Sequence, residues 1–307
     1  MPLVRHLQGL WGNWWFLPLL PPIFLAILYA AGGVRPEHVI VIIILTALAA
    51  GNAWTKKMIL AGVPAILILL GYEAVQYLRP FFVTPGRIVG CGMRDLEASL
   101  FSIDGFTPSS FFATHHNAFF DVFFAIPYTF FWMIAVVYGV VLFFRNRPRL
   151  SHYLWLLALA HAVAFVLWMA LPTAPPWYIA AHGCLIDPNA APSPAALVRV
   201  DQLFGITYFD GFYSRDPTVF GAFPSLHCAF PAAGLVASWR RVGWLQRSVH
   251  LGYLLWMLVA SVYLGHHWLL DGLTAIAVVL VADALVVRFA PRLFGDDLAV
   301  MPRLASS

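Results

Sequence analysis

Apolar side chains fall in long uninterrupted runs along this chain, and the charged ones gather in the gaps between them. With charges taken as boundaries, apolar segments lie near 15–33, 37–54, 57–79, 121–144, 152–171, 223–239, 248–265 and 268–288. Runs such as VIIILTALAA and VFFAIPYTFFWMIAVVYGVVLFF are apolar on every side. They predict helices, because a membrane barrel would show segments of about ten alternating residues. Most approach the roughly 20 apolar residues that a helix needs to cross the hydrocarbon core. The pattern predicts an all-α integral membrane protein, a multi-span bundle of about eight transmembrane helices, as one domain over 1–307. Two connections are long, 80–120 and 172–222. The second segment is short and the sixth begins at Pro224, so seven or nine spans stay open.

Composition agrees with that pattern: 61% of residues are apolar and 10% charged, against about half and about a quarter in soluble domains. The net charge of +4 does not point to nucleic acid, since the 18 Lys and Arg sit in small groups between apolar runs and form no single basic face. They do report orientation. With the N-terminus inside and eight spans, one side collects Arg5, Lys56, Lys57, Arg145, Arg147, Arg149, Arg240, Arg241, Arg247, Arg288, Arg292 and Arg303. The other collects Arg35, Arg79, Arg87, Arg94, Arg199 and Arg215. By the positive-inside rule both termini are expected in the cytoplasm of a multi-pass cell-membrane protein, with both long loops outside. Residues 1–31 have the outline of a secretory signal, but Trp11, Trp14 and Trp15 read better as an aromatic anchor at the inner interface. The tail after Arg292 is expected to fray.

Three cysteines make no disulfide framework. Cys91 and Cys184 both fall in outer loops, where a bridge and two separate thiols are both open. Cys228 reads as a small core residue.

Three polar clusters share the outer ends of predicted helices: PTAPPWY at 172–178, FPSLHC at 223–228 and GHHWLLDG at 265–272. Ionisable groups at membrane depth are costly, so these are functional candidates. His267 and Asp271 are four apart on one helical face; the carboxylate can hold one imidazole nitrogen and leave the other nucleophilic. The plainer reading is an interfacial histidine beside a solvated aspartate. Pro224 suits a first helical turn, which puts Ser225 and His227 near a helix N-terminus that attracts anions such as phosphate. Two histidines beside such an end supply a nucleophile and a general acid.

At these residues the sequence resembles the type-2 phosphatidic acid phosphatase superfamily, through PSLH and GHHWLLD about 40 residues apart. With PTAPPWY, AFPSLH and YLGHHWLLD together it looks most like the inositol phosphorylceramide synthase branch, over roughly 70–285. The resemblance implies a six-helix phosphatase-like core and a phosphohistidine formed on His267, oriented by Asp271, with His227 protonating the leaving oxygen and Ser225 binding phosphate. It implies no metal and no cofactor. Arg79 is the best remaining cation, the alternative being a snorkelling arginine. His266, Pro175 and Tyr178 complete the substrate-side candidates. Two departures stand out. Of the hydrolases' KxxxxxxRP only Arg79 and Pro80 appear, with Tyr72 at the lysine place, and Ser261 replaces an arginine six residues before the nucleophile. Both remove cations that would steady a transferring phosphoryl group.

Of the other polar groups, Glu73 is expected to pair with Arg79 or to hold a headgroup. Asp283 is expected to pair with Arg288, and His115 and His116 to line the entrance or to be ordinary loop histidines. The expected activity is transfer of a phospho-headgroup, inositol phosphate by resemblance, from a phosphatidylinositol-like donor to a lipid or glycan hydroxyl. Water as acceptor would make the same site a lipid phosphatase. A proton-coupled transporter with His227, His267 and Asp271 as a relay is the rival of another class, opposed by the absence of inverted, Gly/Pro-broken symmetry. A silent scaffold that kept the motifs is the last alternative.

Overall fold

The structure is a computed structural model that describes residues 2–30, 32–102, 104–214 and 218–294, with side chains described as far as 289. Arg215, Arg303, the side chain of Arg292 and the tail beyond 294 lie outside the described residues. The helices, in chain order, are α1 Pro2–Trp11, α2 Leu20–Ala30, α3 Pro36–Ala50, α4 Ala53–Phe82, α5 Cys91–Phe101, α6 Pro108–Thr114, α7 Ala118–Arg145 and α8 Arg147–Ala170. They continue as α9 Pro176–His182, α10 Val198–Phe204, α11 Tyr208–Tyr213, α12 Leu226–Trp239, α13 Trp244–Tyr263 and α14 Leu269–Phe294.

All eight apolar segments fall on helices, so the all-α membrane bundle holds, though the helices differ in length and apolarity. Among the described residues four helices, α4, α7, α8 and α14, are long and apolar enough to cross a membrane. The bent pair Pro2–Trp14 and Leu17–Ala30, turned through 110°, would make a fifth. The reason is length and polarity. At 1.5 Å per residue α3 and α12 reach only about 22 and 21 Å, and α13 carries Gln246, Arg247 and His250 in its first two turns.

The chain forms two compact units, 1–63 and 64–307; the division falls inside α4, just before Pro64. In the first unit α2 packs on α3. Trp11 is buried there and donates Nε1–H to Ala49 O at 2.8 Å, so it serves that packing; Trp14 stays exposed.

In the second unit α12 packs against α7, α8, α13 and α14. Its Ala229, Ala232, Ala233, Gly234 and Ala237 are all buried, and such small side chains let membrane helices approach closely. Asparagines set two of the starts: Asn117 accepts from Phe120 N–H and Asn146 from Arg149 N–H, removing unpaired donors at each first turn. Asp283 hydrogen-bonds His152 at 2.6 Å, which corrects the expected Arg288 partner. The half-buried carboxylate turns toward α8, where the buried His152 gives it a donor.

The two long connections are structured. They contain α5 and α6, then α9, α10 and α11. Val89 N–H bonds Pro172 O at 2.8 Å, Ala174 N–H bonds Val89 O at 2.9 Å, and Thr173 N–H bonds Phe220 O at 2.8 Å, which aligns three loop segments side by side. Cys91 and Cys184 form a disulfide, with Cα atoms 5.4 Å apart. Ile88, Met93, Ala174, Tyr178, Phe220 and Trp268 bury one another beside these ties.

Candidate active site

The turn that carries the paired histidines is held from several sides. α13 ends at Tyr263, and Gly265 takes φ +73°, which glycine adopts without strain. His267 N–H returns to Ser261 O at 3.2 Å, and Trp177 N–H reaches Gly265 O at 3.0 Å. Trp268 donates Nε1–H to Ala174 O at 2.9 Å. The PTAPPWY segment therefore braces this turn through Ala174 and Trp177. From the other long connection Glu97, fully buried on α5, accepts Leu269 N–H at 3.0 Å and Leu270 N–H at 3.1 Å. These are first-turn donors of α14 that would otherwise go unsatisfied. Asp271 Oδ2 accepts a third, Trp268 N–H, at 2.8 Å. A Cβ on Gly272 would lie 2.3 Å from Leu258 and 3.2 Å from Cys228 Sγ, so α12, α13 and α14 close tightly beside Asp271.

Three motif residues meet here. His267 Nδ1 lies 2.9 Å from Ala222 O. A carbonyl only accepts, so this nitrogen carries the hydrogen and Nε2 keeps a lone pair. Asp271 Oδ2 stands 3.5 Å from the same Nδ1, a weaker hold than the carbonyl's. His267 Nε2 faces His227 Nδ1 at 3.2 Å, so His227 directs its N–H at the free lone pair. The His227 ring stacks on Tyr128, centroids 4.0 Å apart, and tilts against Phe131 at 4.5 Å. Ser225, fully buried, caps α12 by accepting Cys228 N–H at 3.4 Å, and its own N–H bonds Asp271 O at 3.0 Å. This joins the PSLH helix start directly to the HHWLLD helix start.

The remaining candidates lie around this centre. His266 Nε2 donates to Pro194 O at 3.1 Å, and its ring lies between Tyr128 and Tyr213 at 5.0 and 4.7 Å. Burial above all pushes the His266 imidazole down to about 3, against the pull of the Pro194 bond; it is neutral at physiological pH. Burial likewise raises Glu97, helped by the charge of Asp271 and opposed by the two backbone bonds. Pro175 is buried at the start of α9. Tyr178 is fully buried, donating its hydroxyl to Leu185 O and accepting Asp187 N–H. Arg79 reaches Pro188 O at 3.3 Å and lines a cavity of about 360 Å³ with Pro188–Pro192, Ser214 and Val219.

His115 is exposed and stacked on Phe111, and His116 lies 3.7 Å from Asp121, which also holds Arg199 at 2.7 Å. At the two places where the hydrolases have cations, Tyr72 packs edge-on to Phe165, and Ser261 is buried beside Cys228. No Lys or Arg bonds His227, His267, Asp271 or Glu97 among the described residues.

Sequence reading passed over Glu97, Tyr128 and the Ala222 carbonyl. Glu97 lies two residues beyond Asp95 along α5, which turns one carboxylate inward and leaves the other exposed. Tyr128 sits in an unbroken apolar run, and a backbone carbonyl has no signature in sequence.

The family model described as the PAP2 superfamily matches residues 96–285. A phosphoinositol dihydroceramide synthase of Bacteroides thetaiotaomicron is 29% identical over 261 residues, covering 83% of this chain and 85% of that protein. The catalytic subunit of inositol phosphorylceramide synthase from Schizosaccharomyces pombe is 39% identical over 107 residues, 34% of this chain and 24% of that protein. Its counterpart in Saccharomyces cerevisiae is 29% identical over 169 residues, 53% of this chain and 41% of that protein. No solved structure matches the chain significantly.

Proposed function

The chain belongs to the PAP2 superfamily, and from that premise we propose that it is a membrane phosphotransferase moving inositol phosphate from a phosphatidylinositol-like donor to the hydroxyl of a ceramide-like lipid. The names of its relatives, which speak of ceramide and dihydroceramide, support the acceptor class. The observation that carries the reading is the directed pair at the turn: His267 with Nδ1–H fixed on Ala222 O and Nε2 aimed at His227 Nδ1.

In the first half-reaction a donor phosphorus enters between the two rings, displacing the 3.2 Å contact. His227 acts as an imidazolium, protonated on both nitrogens once the anionic donor enters: His267 Nε2 attacks phosphorus, the P–O bond to the glycerol breaks, and His227 gives its Nδ1 proton to the departing oxygen and is left neutral. The positive charge on the phosphorylated ring is steadied by the Ala222 carbonyl and by Asp271. In the second half-reaction the acceptor hydroxyl loses its proton to His227 and attacks the phosphohistidine. The start of α12, capped by Ser225, supplies backbone N–H groups and a favourable dipole for the phosphoryl oxygens. Arg79, with the cavity it lines, is the proposed seat for the rest of the headgroup, and His266, Pro175 and Tyr178 hold the surrounding wall. The charge distribution along the chain supports a site on the extracytoplasmic side of the cell membrane, with both termini in the cytoplasm.

Product analysis tests this. The purified protein in lipid receives headgroup-labelled phosphatidylinositol with and without ceramide. Label on ceramide, lost by at least about 10⁴-fold in His267→Ala, is the expected result. Free inositol phosphate made at the same rate with or without acceptor would identify a phosphatase and refute transfer. A glycan acceptor added in parallel shows whether the acceptor class extends beyond lipids.

A further inference from the structure

A second polar cluster lies at the other end of α12, which at 1.5 Å per residue is about 21 Å from the histidines. Arg149, in the first turn of α8, is only 8% exposed, yet its guanidinium makes no hydrogen bond or ion pair with any described residue. It lies over the Tyr138 ring at 5.5 Å. The Tyr138 hydroxyl bonds Ser238 Oγ at 2.8 Å, and the adjacent Ala237 O accepts from the Arg241 side chain, so a second guanidinium belongs to the same cluster. Arg241 NH1 donates to His152 Nδ1 at 2.9 Å and to Ala237 O at 2.7 Å, while its NH2 is buried without a partner.

The charge count is one-sided. His152 accepts from Arg241 at Nδ1, so it carries its hydrogen on Nε2 and gives it to Asp283 at 2.6 Å. The imidazole is therefore neutral, and the single charge of Asp283 answers Arg241 through it. Among the described residues no counter-charge bonds Arg149. A buried cation without a counter-charge is costly, and a guanidinium offers paired N–H donors that match a phosphate. Its place at the junction of α7 with α8 and of α12 with α13 is where helix ends meet the headgroup layer.

We propose that Arg149 and Arg241 form a second anion site, distinct from the histidine site, which binds the phosphate group of an anionic phospholipid in the leaflet at that end. Lipid and free phosphate share the recognition chemistry, so the test separates them. The protein in neutral detergent is melted while phosphatidylglycerol, phosphatidylcholine or inorganic phosphate is titrated in. Phosphatidylglycerol is chosen because it differs from the proposed donor.

The expected result is a rise in melting temperature with phosphatidylglycerol, half-saturating at about tenfold or more higher lipid in Arg149→Gln. Without anionic lipid the Gln variant melts no lower than the wild type, because it has lost an unanswered charge. Its transfer rate with saturating donor is unchanged. Stabilisation by inorganic phosphate alone, weakened in the same variant, supports the site and assigns it to a free anion. Equal half-saturation in wild type and variant, or no stabilisation by either anion, overturns the proposal. Should Arg149→Gln fail to fold, native mass spectrometry of Arg149→Lys decides: loss of retained phosphatidylglycerol relative to wild type supports the site, and equal retention refutes it.

Discussion

At the histidine end of the second unit, carboxylates and imidazoles satisfy backbone groups and one another, and a buried atom left over there, Asp271 Oδ1, is an acceptor. Glu97 takes two N–H groups, Asp271 a third, His266 donates to Pro194 O and His267 to Ala222 O. At the arginine end of the same helices two guanidiniums keep buried donors without acceptors. The contrast follows from what each end has to do. A nucleophilic imidazole must be neutral, and a neighbouring cation that entered without substrate would add cost and compete for the lone pair. The phosphate brings its own charge to meet the helix start at α12. The arginine end instead carries fixed positive charge, useful for holding an anion and useless for attack.

Exchanging one carboxylate at each end gives the largest separation. Asp271→Asn is expected to lower turnover by about 10- to 100-fold. The loss stays below that of a triad aspartate, because Ala222 O already fixes the His267 hydrogen at 2.9 Å while Asp271 stands at 3.5 Å. Asp283→Asn should leave turnover within about twofold and lower stability by about 1–3 kcal/mol, since it removes the charge that answers Arg241 through His152. Steady-state kinetics and melting on both proteins check this; a large turnover loss in Asp283→Asn would erase the distinction between the ends.

A smaller effect is expected from Glu97→Gln. The amide oxygen still accepts one of the two α14 bonds, but its NH₂ cannot accept the other, and one buried N–H is left unpaired. Turnover should fall by about 3- to 10-fold through misplacement of His267. Burst kinetics should show slower phosphoenzyme formation with unchanged donor affinity. An unchanged burst rate would reduce Glu97 to a purely stabilising contact.

Much of this was legible in the chain. Runs apolar on all sides read as helices, and each of the eight lands on one. Three motifs spread over about 100 residues pointed to one place, where the structure joins them by bonds such as Ser225 to Asp271. What sequence hid has physical causes. Hydropathy measures polarity and not helix length, so the second and sixth segments left the span count open, and the lengths of α3 and α12 came only from the structure. A segment such as 172–222 looks like loop because its short helices lack apolar runs. Arg149 looked like one more positive-inside charge, since nothing in a sequence tells a buried arginine from an exposed one. His267 was assigned an aspartate for its Nδ1, yet the nearer acceptor is the carbonyl of Ala222.

The smallest expected effect concerns His266, whose neutrality belongs to the histidine end. Its imidazole titrates at about 3 in the folded protein and near 6.5 when exposed. Between those values the unfolded turn binds a proton that the folded turn refuses. The contribution of His266 to stability is therefore complete above about pH 6.5 and is lost progressively as pH falls toward 3, by at most about 1.4 kcal/mol per pH unit. His266→Phe keeps the stacking with Tyr128 and Tyr213 but cannot take up a proton. Melting between pH 7.5 and 4.5 should fall more steeply for wild type than for this variant, with the two curves converging on the alkaline side apart from the lost Pro194 bond. Parallel curves would mean that His266 is protonated in the folded turn and that this end of the bundle is not held neutral.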